Sequence, residues 1–162
     1  MLTLRPYRQS DWPVLIQYQY PTITEIEAKQ LISDYNSGYC DGCSIQILAI
    51  EHSGILVGYT SLLEQAPGIA SEGVEIYPPY RRQGLAYRAL QQLFSQTTAY
   101  HTITVQIRKD NIASLTLHKK LGFQITAEFI NRRGHEVYSL SLTLHQEIAT
   151  SHKRLNDCHR QS

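Results

Sequence analysis

The residues best suited to chemistry lie in one stretch, Val74-Glu75-Ile76-Tyr77-Pro78-Pro79-Tyr80-Arg81-Arg82-Gln83-Gly84-Leu85-Ala86. A β-favouring run stops at two prolines, two arginines and a glycine follow, and then a helical apolar period begins. A strand, a basic turn and a helix start therefore meet here. Free N–H groups at a helix N-terminus point at an anion, and the helix dipole favours negative charge there. Arg81 and Arg82 add charge and forked donors. Gly84 lets the backbone approach a ligand closely, and Ala86 is too small to block that approach. The chemistry expected is the holding of a phosphorylated group. A second set, Asn111, Ser114 and His118, falls at i, i+3 and i+7 on one helix face. Two carboxylates, Glu72 and Glu75, precede the turn. Strand alternation sends them to opposite faces, so at most one should face a cleft.

These residues need elements to position them. Leu2–Tyr7 reads as a first strand. Ser10 or Asp11 caps a helix with Pro13 in its first turn, which Pro21 ends after about Tyr20. Thr24 and Glu27 have capping-box spacing and open a helix to about Tyr35. Gly38–Gly42 is loop. Strands over Ser44–Glu51 and Ile55–Glu64 are joined by His52-Ser53-Gly54, a hairpin signal, and Ile69–Tyr77 is the next strand. A helix with Leu85, Ala89, Leu90, Leu93 and Phe94 at helical spacing follows the basic turn. Thr102–Ile107 is a β-branched strand, and Asn111–Leu121 a helix with Asn111 as N-cap and Gly122 at C′. Phe123–Ile130 and Glu136–Leu144 form a last hairpin. The short links predict an antiparallel meander over Ser44–Tyr77. The helical crossover predicts that Ile69–Tyr77 and Thr102–Ile107 run parallel.

The 162 residues fit one domain with a real core, expected over residues 1–145 with a polar C-terminal tail over 146–162. A net charge of +1 argues against a dedicated nucleic-acid binder. No apolar run approaches membrane-spanning length and the N-terminus is no signal peptide, so no membrane partner is expected and the cytosol is the expected compartment. The three cysteines suggest no disulfide framework. Cys40 and Cys43 have C-x-x-C spacing, but a zinc site would need two more ligands and only His52 is near. No metal is expected.

With both motifs in hand, the chain resembles the GNAT superfamily of N-acetyltransferases. Arg81-Arg82-Gln83-Gly84-Leu85-Ala86 is similar to that family's pyrophosphate loop [Q/R]-x-x-G-x-[G/A]. Asn111 through Phe123 is similar to its N-x-x-[A/S]-x-x-L-Y-x-x-x-G-F. The resemblance covers roughly residues 1–145. It implies an α+β, three-layer fold: a mixed, mostly antiparallel sheet of about seven strands, with helices on both faces and with the strands Ile69–Tyr77 and Thr102–Ile107 parallel and splayed. It implies acetyl-CoA as co-substrate, with its phosphates at Arg81, Arg82, Gln83, Gly84, Leu85 and Ala86. Its acetyl carbonyl would lie near the backbone N–H of Ile76 or Tyr77, and its pantetheine arm along Asn111 and Ser114. The arm's amides can pair with a splayed strand edge, and Pro78-Pro79 ends the strand's pairing there.

The same resemblance implies transfer of the acetyl group to a primary amine in a ternary complex. The family usually has tyrosine where this chain has His118, as the acid that protonates the departing thiolate. Reference pKa values of about 6.5 for His, 8.5 for a thiol and 10 for Tyr leave His118 able to do this. A base must take the amine proton. Glu72, which shares the parity of a glutamate in some family members, is preferred, and Glu75 is the other candidate. Gln106, where other members carry an acid, cannot act. Tyr18, Tyr20, Tyr35 and Tyr39 cluster in the region that the resemblance places over the acceptor, and an amine of apolar character would fit. The acceptor is open between small molecules and peptides, and a homodimer is compatible. The alternative is a non-enzymatic acyl-CoA-binding or regulatory module on the same fold.

Overall fold

The computed structural model describes residues 1–40 and 42–145; the expected tail over 146–162 lies outside the described residues. Strand β1 (Leu2–Arg5) leads through a 3-10 turn, Gln9–Asp11, into helix α1 (Trp12–Tyr18). The sequence suggested a side-chain cap for α1 from Ser10 or Asp11, and none forms. Arg5 takes the Asp11 carboxylate instead, with contacts of 2.8 and 3.1 Å, and Arg8 N–H donates to it at 2.7 Å. Thr24 does cap α2 (Glu25–Ser37). The Glu27 N–H donates to Thr24 Oγ1 at 3.2 Å and the Thr24 N–H to Glu27 Oε2 at 2.7 Å. Helix α2 runs to Ser37, past the expected end at Tyr35, because Gly38 stops it in the left-handed region at φ 80°. The expected loop after it contains a two-residue strand, β2 (Tyr39–Cys40), paired with the start of β3 (Cys43–His52).

Strands β3, β4 (Ile55–Ala66) and β5 (Ile69–Ile76) form the expected antiparallel meander. Helix α3 (Leu85–Gln96), strand β6 (Thr102–Arg108) and helix α4 (Ile112–Lys120) follow, and β7 (Gln124–Ile130) and β8 (Glu136–Thr143) close the sheet. The order is β1-β3-β4-β5-β6-β8-β7. The last hairpin thus folds back so that its second strand, not its first, lies beside β6. Only β5 and β6 run parallel. Their pairing ends early: Ile69, Ala70 and Ser71 pair with Thr102, Ile103 and Thr104, and no later residue of β5 pairs with β6.

Strands β3 and β4 are buried on both faces, so both faces of the sheet carry helices there, whereas β7 at the edge is exposed throughout. On one, Leu15 of α1 and Ile32 of α2 pack against Ala49, Leu56 and Tyr77. On the other, Leu90 and Leu93 of α3 and Leu115 of α4 pack on Leu62, Ala70 and Ile103. Leu85 and Ala89 cover Ile50, Val57 and Ile76. The periodic apolar residues read from the sequence for α3 are therefore the ones that hold its N-terminus against β5. No helix of the described residues is long and apolar enough to cross a membrane.

Gly58 of β4 faces Ile76, and a Cβ built there would overlap the Glu75 carbonyl. Gly58→Ala should therefore cost about 2–3 kcal/mol, measured as a lowered urea midpoint at unchanged slope. A midpoint equal to the parent would show that β5 gives way freely.

Candidate active site

The site starts with the backbone of β5. Gly58 and Ile76 face each other across the β4–β5 ladder, and the Tyr77 N–H donates to the Val57 carbonyl at 2.8 Å. In an antiparallel ladder this makes Gly58–Ile76 a non-hydrogen-bonded pair, so the N–H of Ile76 turns away from β4. The same parity turns Val74 that way. Since β6 has already parted from β5, these groups line an open wedge. Of the two amides suggested for an acyl carbonyl, Ile76 offers a free N–H, and that of Tyr77 is spent on β4. The Tyr77 side chain is fully buried on the opposite face, stacked on Tyr18 at 4.5 Å, and its hydroxyl accepts from Gln19 Nε2 at 2.6 Å.

The basic turn closes one end of the wedge. Pro78–Tyr80 makes a single 3-10 turn. Arg81 is not merely solvated: its Nε donates to the Ile76 carbonyl at 2.7 Å. Arg82 is left-handed at φ 64°, a conformation that costs a non-glycine about 1 kcal/mol. Gly84 takes φ 71° as the residue before α3. Nothing lies within 4 Å of where its Cβ would be, so in this structure its backbone angle, not crowding, calls for glycine. No side chain caps α3, so its first N–H groups have no side-chain acceptor among the described residues.

Helix α4 forms the facing wall. Asn111 caps it, accepting the Ser114 N–H on Oδ1 at 3.1 Å, which leaves its amide N–H₂ free. His118, four residues on from Ser114, is 2% exposed. Its Nδ1 lies 2.7 Å from the Ser114 carbonyl and 3.3 Å from Ser114 Oγ, and its Nε2 makes a very short hydrogen bond with Glu72 Oε1. A carbonyl only accepts, so Nδ1 carries a proton. A second proton is then shared between Nε2 and the carboxyl. Burial alone would lower the His118 pKa, but the Glu72 hydrogen bond and charge and the Ser114 carbonyl outweigh it, and the net shift is upward. The other Glu72 oxygen is buried without a partner among the described residues, so the carboxyl acts on His118 alone.

The wedge opens into a cleft of about 650 Å³. Ile76, Arg81, Arg82, Gly84, Leu85, Ala86, Asn111 and Ser114 line it, all singled out from the sequence, and so does Glu75. Gln83 is exposed beside it and does not line it. Glu72 and His118 also lie outside the lining; Ser114 is the residue that touches both the cleft and the imidazole. The sequence reading did not single out Val74, Tyr80, Tyr87, Ala113 and Leu117 for this cleft. Val74 could have been found by its parity with Ile76. Leu117 both packs against the core and reaches the cleft.

This geometry can be set beside known proteins. The model of the acetyltransferase (GNAT) domain family matches residues 1–124. The chain belongs to the GNAT acetyltransferase family. Its curated relatives include an L-methionine sulfoximine/L-methionine sulfone acetyltransferase of Salmonella typhimurium, 28% identical over 63% of this chain and 57% of the relative. An aminoglycoside N(6')-acetyltransferase type 1 of Acinetobacter baumannii is 27% identical over 75% of this chain and 88% of its own. The matched region spans little more than half the length of the first of these relatives. Among solved structures, RimL, a ribosomal L7/L12 alpha-N-protein acetyltransferase in complex with coenzyme A, superposes with a TM-score of 0.73 at 17% identity. That match covers 88% of this chain and 94% of RimL. The structure of yncA, a putative acetyltransferase of Salmonella typhimurium with acetyl-CoA, reaches 0.67 at 19% identity over 92% and 97% of the two chains. These likenesses bear out the expected fold of this GNAT domain.

The Glu72–His118 pair gives stability a sign with pH. A folded-state pKa raised above the unfolded value contributes stability that is complete below the unfolded pKa of about 6.5 and is lost as pH rises through the folded one. Glu72→Gln removes the charge that holds the proton and leaves the buried imidazole harder to protonate. The gap in unfolding free energy between parent and variant should be about 3 kcal/mol near pH 6 and shrink toward pH 9. A gap that stays constant or widens with pH would mean that no proton is held by the pair.

Proposed function

We propose that this GNAT domain is an acetyl-CoA-dependent N-acetyltransferase, acting by direct attack of an amine in a ternary complex. The observation that carries the reading is the single cleft in which an anion-binding turn, an unpaired strand edge and the Asn111–Ser114 helix face meet. Coenzyme A has a pyrophosphate, an arm with two amides and a thioester, in that order. The turn at Arg81–Ala86 suits the pyrophosphate, and the free edge of β5 suits the amides as an added strand would. Relatives and neighbours that act with acetyl groups or hold coenzyme A support the donor. No metal takes part in this reading.

The chemistry follows from where each group points. The Ile76 N–H polarises the thioester carbonyl and stabilises the charge that develops on its oxygen. Glu75 takes the proton of the incoming ammonium; it lines the cleft, and the buried Glu72 does not. The freed amine attacks the carbonyl carbon, the C–N bond forms, the C–S bond breaks, and the thiolate leaves. The Ser114 hydroxyl gives that thiolate its proton and takes one from His118 Nδ1. The proton shared with Glu72 settles on Nε2. The pair has then lost one proton, and the bare Nδ1 faces the Ser114 carbonyl, lone pair against lone pair. That repulsion favours recharging from solvent. His118 and Glu72 thus work as a buried proton store, with Ser114 as its outlet.

Incubation with acetyl-CoA and a panel of amines tests the reading. Thiol release dependent on one amine class, with the acetylated amine seen by mass spectrometry, is expected. Glu75→Gln should lower the single-turnover rate about 10²-fold and weaken its rise with pH, with acetyl-CoA affinity unchanged. Tight binding of coenzyme A without transfer to any amine would instead favour a non-enzymatic acyl-CoA-binding module.

A further inference from the structure

Beside Glu75 the chain builds a surface that the donor does not need. Tyr59 of β4 faces Glu75 across the ladder, and burial, with the Glu75 carboxylate second, pushes its phenol up to about 12. The hydroxyl of Tyr20, after α1, bonds that of Tyr35 of α2 at 2.9 Å, and Tyr35 and Tyr59 pack against the same buried cluster. Tyr80, on the cleft wall, interacts with Tyr18, which stacks on Tyr77. The Tyr20 and Tyr35 hydroxyls are taken by each other and that of Tyr77 by Gln19. What such an array offers a ligand is ring faces and one carboxylate. Tyr39, grouped with them from the sequence, is 68% exposed and makes no ring contact with them.

The charges nearby are already matched. On the helices and strand of this side, Arg5 is held by Asp11 and Glu51, Arg8 lies 3.7 Å from Glu51, and Lys29 is paired with Glu25 at 2.7 Å. Arg81, 4.0 Å from Glu75, is committed through Nε to the Ile76 carbonyl. Arg82 also lines the cleft, in the turn proposed for the donor phosphates. Among the described residues of this face, no cation outside that turn stands apart from an acid to hold a carboxylate, and no second acid lies beside Glu75 to hold a second ammonium. Asp34 is bonded by Gln30, and Glu27 by its own cap.

We propose that this tyrosine-lined face is the acceptor subsite, and that it takes a monoamine with an apolar, aromatic or alkyl body and no carboxylate. The ammonium meets Glu75 and the adjoining ring faces, and the body lies on the phenols. An amino acid would bury its carboxylate unpaired, and a polyamine or aminoglycoside would bury extra cations. The inference rests on the transferase reading above and narrows it.

The test compares kcat/KM for phenethylamine, phenylalanine, spermidine and kanamycin with saturating acetyl-CoA. Phenethylamine should exceed each of the others by about tenfold or more. Tyr20→Leu and Tyr59→Leu should each raise the phenethylamine KM about fivefold or more, and the shape-conserving Tyr59→Phe should not, with the acetyl-CoA KM unchanged. Preference for phenylalanine, abolished by Arg81→Gln, would overturn the proposal by making Arg81 a carboxylate clamp, and so would preference for spermidine or kanamycin. In both cases the transferase reading stands. Coenzyme A binding with none of the amines acetylated would overturn both.

Discussion

Pairing between β5 and β6 stops at Ser71, and the next residue, Glu72, is tied to α4 instead of to β6. Every feature of the site depends on this. A parallel pair that continued would have spent the N–H groups of Val74 and Ile76 on β6, leaving no edge for an arm with amides and no donor for an acyl oxygen. By reaching His118, Glu72 holds α4 at the mouth of the wedge, with Ser114 and Asn111 facing the strand they are meant to serve. A buried acid–imidazole pair is a weak source of stability on average, because desolvation offsets attraction. Its value here is positional: it adds a polar tether to the apolar packing of Leu115 that already holds α4 near β5.

The far end of the wedge is fixed by different means. Tyr77 is anchored through its ring to Tyr18 and through its hydroxyl to Gln19, and its N–H belongs to β4. Pro78 and Pro79 then turn the chain, and Arg81 reaches back to the Ile76 carbonyl. The turn that suits phosphates and the amide that suits an acyl oxygen are thus one mechanical unit. The left-handed backbone of Arg82 is the strain this compactness imposes, and Gly84 takes the same region without it.

Much of this was legible in the sequence because it is local. Prolines, arginines and Gly84 announce a turn before a helix whatever surrounds them, and Thr24 with Glu27 announces a capped start. The antiparallel course of the β3–β4–β5 meander followed from short links, though not the shifts in its register at Ile50/Glu51 and Glu64/Ala66. What could not be read is what tertiary partners decide. Asp11 has the right type and place to cap α1, but Arg5 from the preceding strand takes its carboxylate. The order of β7 and β8 beside β6 is invisible to a hairpin signal. Glu72 and His118 were each singled out, but as separate actors. Their union needs the depth of two elements and 46 residues of separation, and no spacing rule reports that.

The division between Glu72 and Glu75 shows why one strand can carry so much of the proposed mechanism. A strand offers three directions: two faces and an edge. Glu72, at even parity with Ile76, points to the α3–α4 face and can only serve the leaving side, through His118 and Ser114. Glu75 points to the α1–α2 face with Tyr59 and can only serve the arriving amine. In the proposed reaction the edge between them holds the carbonyl to be attacked. Proton removal and proton delivery are therefore separated by the thickness of the sheet, and neither carboxylate can neutralise the other's task. Moving Glu75 by a single residue would place both acids on one side and leave the amine without a base, whatever the quality of the coenzyme site.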